Sequence, residues 1–184
     1  GSCFKKDILN LVYLCRFYGL NEVANYWENI VNINFWQQKR ISKIVINNLF
    51  GTISEKRIAI LGFSFKPNTN DTRESPSINI SKDLLQEDAK LAFYDPRVNK
   101  NQIISEFQTN SNTFSFEVCE SALEACRNSD AVIVLTEWEE FKFLDWRKIF
   151  EEMRKPAWVF DTRICLDNDA LKDIGFKVWT LGSS

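Results

Sequence analysis

The sequence contains no histidine. A Ser-His-Asp or Cys-His mechanism therefore cannot be built from this chain alone, because both need an imidazole base. Long apolar runs are missing as well, and none approaches the roughly 20 residues that span a bilayer. No signal peptide is visible at the start of the sequence. These absences exclude two catalytic classes and argue against a membrane protein.

The sequence also lacks a strong net charge and a cysteine pattern typical of a metal site. The formal net charge is −2, which argues against electrostatic binding of nucleic acid. The cysteine count is odd, five in all, and no spacing fits a metal site. We therefore expect no metal and free thiols in a reducing compartment, the cytoplasm.

What is present is an ordinary globular composition with a helical start. The chain has 184 residues, of which 45% are hydrophobic and 26% charged, enough for one full domain plus an appendage. Apolar residues at helical spacing predict a helix from Cys3 to about Tyr18, ended by Gly19. From Asn21 no proline or glycine interrupts the stripe until Gly51, which predicts a helix of roughly 29 residues, about 43 Å long. A helix of this length is typical of a spine between domains or subunits.

After Gly51 short apolar runs alternate with helical segments. This order predicts an α/β fold, a Rossmann-like and mainly parallel sheet with helices on both faces, preceded by the helical segment with its one long central helix. We divide the chain into a helical segment, 1–51, and an α/β domain, 52–184. The predicted strands are 56–62, 90–94, 114–118, 131–135, 157–160 and 177–181, the predicted helices are 76–88, 121–127 and 144–153, and 97–113 is predicted as a loop with at most one helical turn.

The first predicted helix carries a thiol and a carboxylate on one face. Cys3 and Asp7 are four residues apart, one helical turn. The unpaired N–H groups and the dipole of a first turn favour a thiolate, and Lys5 and Lys6 add positive charge. Cys3 is therefore a candidate nucleophile with Asp7 placed to hold water or accept a proton. The competing interpretation is a buried apolar cysteine.

The loop after the first strand is the expected ligand loop of an α/β sheet. It lacks G-x-G-x-x-G, whose glycines let a pyrophosphate approach the backbone. Asp95 ends the second strand, where a Rossmann domain places its ribose-binding acid, but its distance from Gly62 favours a strand-end or turn residue. The domain is thus predicted to be Rossmann-like without binding NAD in the standard way.

Three segments of the sequence resemble one known family. They are Gly-Ser-Cys-Phe-Lys-Lys-Asp at 1–7, Phe-Ser-Phe-Lys-Pro-Asn-Thr-Asn-Asp-Thr-Arg-Glu-Ser at 63–75, and Phe-Asp-Thr-Arg at 160–163. In this order they are similar to the active-site and C-terminal motifs of the UDP-glucose 6-dehydrogenase family. Thr162 stands where that family often has glycine. The resemblance covers the C-terminal half of such an enzyme, without its N-terminal NAD-binding domain.

The resemblance implies NAD as cofactor, UDP-glucose as substrate and two successive oxidations of the sugar C6 through a thiohemiacetal and a thioester on Cys3. It places Asp7 beside that chemistry, Lys6 and Arg73 at the cofactor, and Phe65, Lys66 and Arg163 at the sugar nucleotide. It also implies a homodimer or higher homo-oligomer through the long helix. On this basis the chain alone is expected to be inactive.

Other interpretations remain open for these residues and for the function. By themselves, Lys6 and Lys66 are solvated lysines, Arg163 is a surface charge, and Arg73 belongs to a capped helix start. A dehydrogenase acting on GDP-mannose or a UDP-N-acetyl sugar is the nearest alternative function. A nucleotide-binding or oligomerisation module without catalysis is the alternative from another class. The segment Glu137–Glu140 is assigned no role.

Overall fold

The computed structural model describes residues 2–107 and 114–182 of the chain. A parallel six-stranded sheet forms its centre, in the order β3-β2-β1-β4-β5-β6. The helices are α1 (Ser2–Phe17), α2 (Asn21–Asn48), α3 (Pro76–Gln86), α4 (Lys100–Phe107), α5 (Ala122–Cys126), α6 (Trp146–Glu152) and α7 (Asn168–Ile174). The strands are β1 (Arg57–Leu61), β2 (Lys90–Tyr94), β3 (Phe116–Val118), β4 (Ala131–Val134), β5 (Trp158–Asp161) and β6 (Lys177–Thr180).

The central strands β1 and β4 are almost wholly buried because helices cover both faces of the sheet, as predicted, whereas the edge strands β3 and β6 are partly exposed. Buried residues of α2, α3 and α4 pack on one face and those of α5, α6 and α7 on the other. The order of the strands is that of a doubly wound sheet whose direction of winding reverses between β1 and β4. The sequence predicted a mainly parallel sheet, and every strand pair in the described chain is parallel.

The long helix has two different environments along its length. Its first half packs against α1 in a small cluster that includes Ile8, Val12 and Ala24. Its second half, through Ile41 and Val45, belongs to the core of the α/β sheet. The helix therefore ties the α1–α2 hairpin to the sheet, as expected of a spine, and none of the described helices is long and apolar enough to cross a membrane.

The segment 97–113 differs from its prediction. Lys100–Phe107 is an α-helix of two turns rather than a loop with one, while 108–113 lie outside the described residues. Ile103 and Phe107 anchor this helix in the core. The helix α7 and the 3-10 helix Glu139–Phe143 were not predicted either.

Candidate functional site

The start of α1 meets the loop that joins β1 to α3. Lys5 Nζ lies 2.8 Å from Glu74 Oε2, although the two residues are 69 apart in sequence. The same ammonium lies 5.0 Å from the centroid of the Phe35 ring on α2. Glu74 directly follows Arg73 in the chain, so this ion pair places the first turn of α1, which carries Cys3, beside the Arg73 loop. The fold thus brings the Cys3 helix and the Arg73 loop together.

Cys3 is the one exposed cysteine in the described part of the chain. Burial raises the pKa of Cys119 to about 11 and that of Cys126 further. Burial, helped by the Asp161 carboxylate, raises the pKa of Cys165 to about 12. These three thiols stay protonated near neutral pH, and Cys15 is buried between α1 and α2. Cys3 is therefore the thiol best placed to act as a nucleophile.

Asp7 and Lys6 flank this thiol differently. Asp7 is exposed and lies one turn along the same helical face as Cys3. Lys6 is also exposed, and it has no ion pair or hydrogen bond among the residues that the structure describes. Asp7 can thus meet a group bound at Cys3, whereas Lys6 is a free cation at the start of the helix.

The guanidinium of Arg73 pairs with Asp71 but remains largely exposed to solvent. Its Nε lies 3.0 Å from Asp71 Oδ1 and its Nη2 lies 2.8 Å from Asp71 Oδ2, a two-point pairing. The hydrogen bonds from Arg73 lower the pKa of Asp71 to about 2. The arginine side chain nevertheless remains 75% exposed. Asp71 therefore orients a guanidinium that can still bind an anion.

Phe65 and Lys66 lie in the same loop as Arg73. The backbone N–H of Phe65 donates to the carbonyl of Asp71 at 3.0 Å, which closes the loop on itself. Lys66 is exposed, and its Nζ lies 5.4 Å from the centroid of the Phe65 ring. The loop thus presents an aromatic ring and two cations on one short segment.

The crevice between β1 and β4 is filled by the protein itself. Gly62 has a φ of +93°, and a Cβ built on it would lie 2.5 Å from Thr136 Cβ. Thr136 Oγ1 donates to the Ser64 carbonyl at 2.6 Å, and Ser77 Oγ donates to the Gly62 carbonyl at 3.1 Å. The loop after β1 thus packs directly against Thr136 at the end of β4, and it lacks the glycines with which a G-x-G-x-x-G loop receives a pyrophosphate.

Asp95 is buried and fully used inside the protein. Its Oδ2 accepts hydrogen bonds from the backbone of Phe63 and Ser64, from the Ser64 hydroxyl and from the indole of Trp138. Its Oδ1 accepts from the backbone of Arg97 and Val98. The prediction of a strand-end residue is confirmed, and this carboxylate is not free to hold a ribose.

A separate open cleft of about 680 Å³ lies beside the ends of β4 and β5. Arg163 lines it, with Nε donating to the Leu135 carbonyl at 2.7 Å and lying 3.4 Å from Glu137 Oε2. Lys142 adds a second cation to the wall. No hydrogen bond of either Nη nitrogen of Arg163 appears within the described structure, so the outer edge of the guanidinium can pair with an anion.

Thr162 takes the place of a glycine without strain. Its hydroxyl donates to the Val134 carbonyl at 2.7 Å, and the left-handed residue of this loop is Ile164, with a φ of +56°. The structure shows no contact between Arg163 and the Cys3 group within the described chain. The predicted residues therefore form two groups, one around Cys3 and Arg73 and one around Arg163.

Sequence reasoning missed Glu74, Phe35 and Lys142 as parts of these groups, and it took Lys5 only as a positive charge near Cys3. Nothing in the sequence links Lys5 to Glu74, because contacts between distant segments follow no period. The one available signal was charge, since Glu74 lies inside a polar run beside Arg73.

A family profile and the similar proteins of known name point to the same family. The profile of the UDP-glucose/GDP-mannose dehydrogenase family, UDP binding domain, matches residues 59–168. UDP-glucose 6-dehydrogenase of Drosophila melanogaster is 47% identical over 189 residues, which cover 99% of this chain and 40% of that protein. The enzyme of the same name from Caenorhabditis elegans is 45% identical over 188 residues, covering 100% of this chain and 39% of that protein. The chain thus spans about 40% of the length of these relatives.

Solved structures share the fold. A UDP-glucose dehydrogenase from the archaeon Pyrobaculum islandicum superposes with a TM-score of 0.67 at 23% identity, covering 86% of this chain and 33% of that one. GDP-mannose dehydrogenase from Pseudomonas aeruginosa gives a TM-score of 0.59 at 16% identity, covering 91% of this chain and 38% of that one. At these sequence identities, the structural similarity shows a shared fold and nothing more.

Proposed function

Because this chain belongs to the UDP-glucose/GDP-mannose dehydrogenase family, we propose that it is the C-terminal part of an NAD-dependent UDP-glucose 6-dehydrogenase. Such an enzyme oxidises UDP-glucose to UDP-glucuronate. The observation that carries the proposal is the exposed thiol of Cys3 beside the Arg73 loop, in a chain 45–47% identical to UDP-glucose 6-dehydrogenases along its whole length. The proposed units are a helical segment, 1–51, with the nucleophile and a UDP-sugar-binding domain, 52–184.

Cys3 would act as the nucleophile at the sugar C6. Its thiolate adds to the C6 aldehyde, the carbonyl oxygen takes a proton, and a thiohemiacetal forms. After oxidation to the thioester, water adds to the carbonyl carbon, the C–S bond breaks and the thiolate leaves. A thiolate suits both steps, because it attacks readily and its thioester remains hydrolysable. Asp7, one turn away, would orient the water and accept its proton.

The rest of the chain would hold the reactants. Phe65 and Lys66 offer a ring and a cation to the sugar nucleotide, and Arg163 offers the free edge of its guanidinium to a phosphate. Arg73 and Lys6 are exposed cations near the thiol, which fits contact with the phosphates of a dinucleotide brought from outside this sheet. NAD+, when bound, accepts the hydrides released in the two oxidations.

The proposal also includes an oligomeric state and a cellular location. Exposed apolar residues of α1 and α2 support a homodimer or higher homo-oligomer through the long helix. Free thiols and the absence of a membrane-spanning helix in the described chain support a cytoplasmic location.

Calorimetry tests the binding half of this proposal. We expect the 184-residue chain to bind UDP and UDP-glucose, and to bind GDP-mannose and NAD+ far more weakly. Arg163→Met should weaken UDP binding about tenfold or more, since a charge-assisted contact is lost. Arg147→Met, which removes an exposed arginine on α6, is the matched control and should bind as the wild type. Equal binding of GDP-mannose would instead favour the sister activity, and no nucleotide binding would contradict the proposal.

A further inference from the structure

Lys5 touches two segments that are distant in sequence. Its ammonium pairs with Glu74 of the β1–α3 loop and lies over the Phe35 ring of α2. Its side chain is only 29% exposed, less than that of Arg16, the other α1 cation with an ion pair. A cation between a carboxylate and an aromatic face is restrained in direction by both. Lys5 therefore links the first turn of α1 both to the β1–α3 loop and to α2.

The backbone at Glu74 has a restricted conformation. Its φ is +57°, a left-handed conformation that non-glycine residues seldom adopt. The neighbours on each side are fixed, because the N–H of Arg73 donates to Asp71 Oδ1 and the N–H of Ser75 donates to the Thr72 carbonyl. The carboxylate of Glu74 thus leaves the loop in a set direction, next to Arg73.

We propose that Lys5 is a positioning residue that sets the separation between Cys3 and Arg73. Cys3 lies two residues before Lys5 in the same helical turn, and Arg73 is adjacent to Glu74. A change at the Lys5–Glu74 contact therefore moves the thiol relative to the guanidinium, although neither Lys5 nor Glu74 need touch a substrate. Only the expected effect on catalysis rests on the proposed function; the positioning of Cys3 by Lys5 does not.

The rate at which iodoacetamide alkylates Cys3 in the 184-residue chain tests the positioning. Mass spectrometry of the Cys3 peptide gives the rate, with the Cys165 peptide as internal reference. We expect Glu74→Gln and Phe35→Leu to slow alkylation about two- to fivefold, the scale of one partly exposed ion pair. The reason is that the guanidinium, a cation that assists reaction of a neighbouring cysteine, is no longer held beside the first turn of α1.

The charge change in Glu74→Gln separates positioning from simple electrostatics. If only the charge mattered, loss of a nearby negative charge would make Cys3 react faster, and Phe35→Leu would change nothing. In an Arg73→Met background, Glu74→Gln should have no further effect, because the coupling partner is gone. Glu28→Gln, which breaks the 2.7 Å Arg16–Glu28 pair in the same hairpin, is the control and should leave the rate unchanged.

Kinetics of the full-length protein supply a second readout. Glu74→Gln should lower kcat with UDP-glucose and leave its KM unchanged, and the exchanged pair Lys5→Glu with Glu74→Lys should restore part of the loss. If the wild-type protein does not oxidise UDP-glucose, the proposed function fails while the alkylation result still decides the positioning. Faster or unchanged alkylation in Glu74→Gln would overturn the inference.

Discussion

At the scale of single residues, Gly62 closes the crevice that a dinucleotide would otherwise enter. Its left-handed φ and its close approach to Thr136 both require the absence of a side chain. Gly51 is a matched comparison, since its φ is +77° and a Cβ there would meet nothing within 4 Å.

We therefore expect Gly51→Ala to cost about 1–2 kcal/mol, the left-handed strain alone. Gly62→Ala should cost at least about 1–3 kcal/mol more, because Thr136 must also be displaced. Urea unfolding of the two variants measures the difference in the free energy of unfolding. Equal losses would show that the contact between β1 and β4 is loose.

Residue types predicted some of these roles and not others. Asp95 was predicted to be a strand-end or turn residue from its place after the second strand and its distance from Gly62, and it directly follows β2. That its carboxylate also binds Trp138 could not be predicted, since the two residues are 43 apart and come together only when β2 and β4 flank β1.

At the scale of elements, the α1–α2 hairpin leaves a large apolar surface exposed in the single chain. The large side chains that remain 40% exposed or more include Tyr13, Phe17, Tyr18, Tyr26, Ile33, Phe35 and Trp36. Ile44 and Leu49, in the last turns and at the end of α2, do not belong to this surface, because Leu49 is buried in the sheet core and Ile44 packs against it. The surplus lies in α1 and the first half of α2.

We expect this face to pair with a second copy of the chain, so that sedimentation equilibrium gives a dimer at micromolar concentration. Covering large aromatic side chains contributes a few kcal/mol each, at about 25 cal/mol per Å². Trp36→Glu should weaken the dimer at least about tenfold. Phe143→Glu, which changes an exposed ring at the carboxyl edge of the sheet, should not. A stable monomer of the wild type at high micromolar concentration would rule the pairing out.

Element prediction succeeded where apolar periodicity was long. The bounds of α1, α2 and β2 were predicted to within about two residues, the usual uncertainty of helix ends. The helix α4 was missed because its segment is rich in Asn, Gln and Ser. It is stabilised by tertiary packing, since Phe107 contacts the rings of Phe63, Phe93 and Phe116.

At the scale of the whole molecule, the fold separates two tasks. The sheet, its standard crevice filled from within, offers the cleft of Arg163, while α1 carries the thiol to the Arg73 loop. Motifs in the sequence named Cys3, Arg73 and Arg163, but not Glu74, Phe35 or Lys142, which lie beside them. Their grouping depends on contacts between segments far apart in the chain, which no local pattern encodes.

Turnover by the full-length protein with Cys3→Ser is the most direct test of the central claim, that Cys3 is the nucleophile. With UDP-glucose and NAD+, the wild type should release UDP-glucuronate and the variant should release it at least about a hundredfold more slowly, because an alkoxide forms poorly near neutral pH. Cys119→Ser, which alters a thiol that stays protonated and lies outside the Arg163 cleft, should keep wild-type turnover. Unchanged release of UDP-glucuronate by Cys3→Ser would contradict the claim and make Cys3 a structural residue.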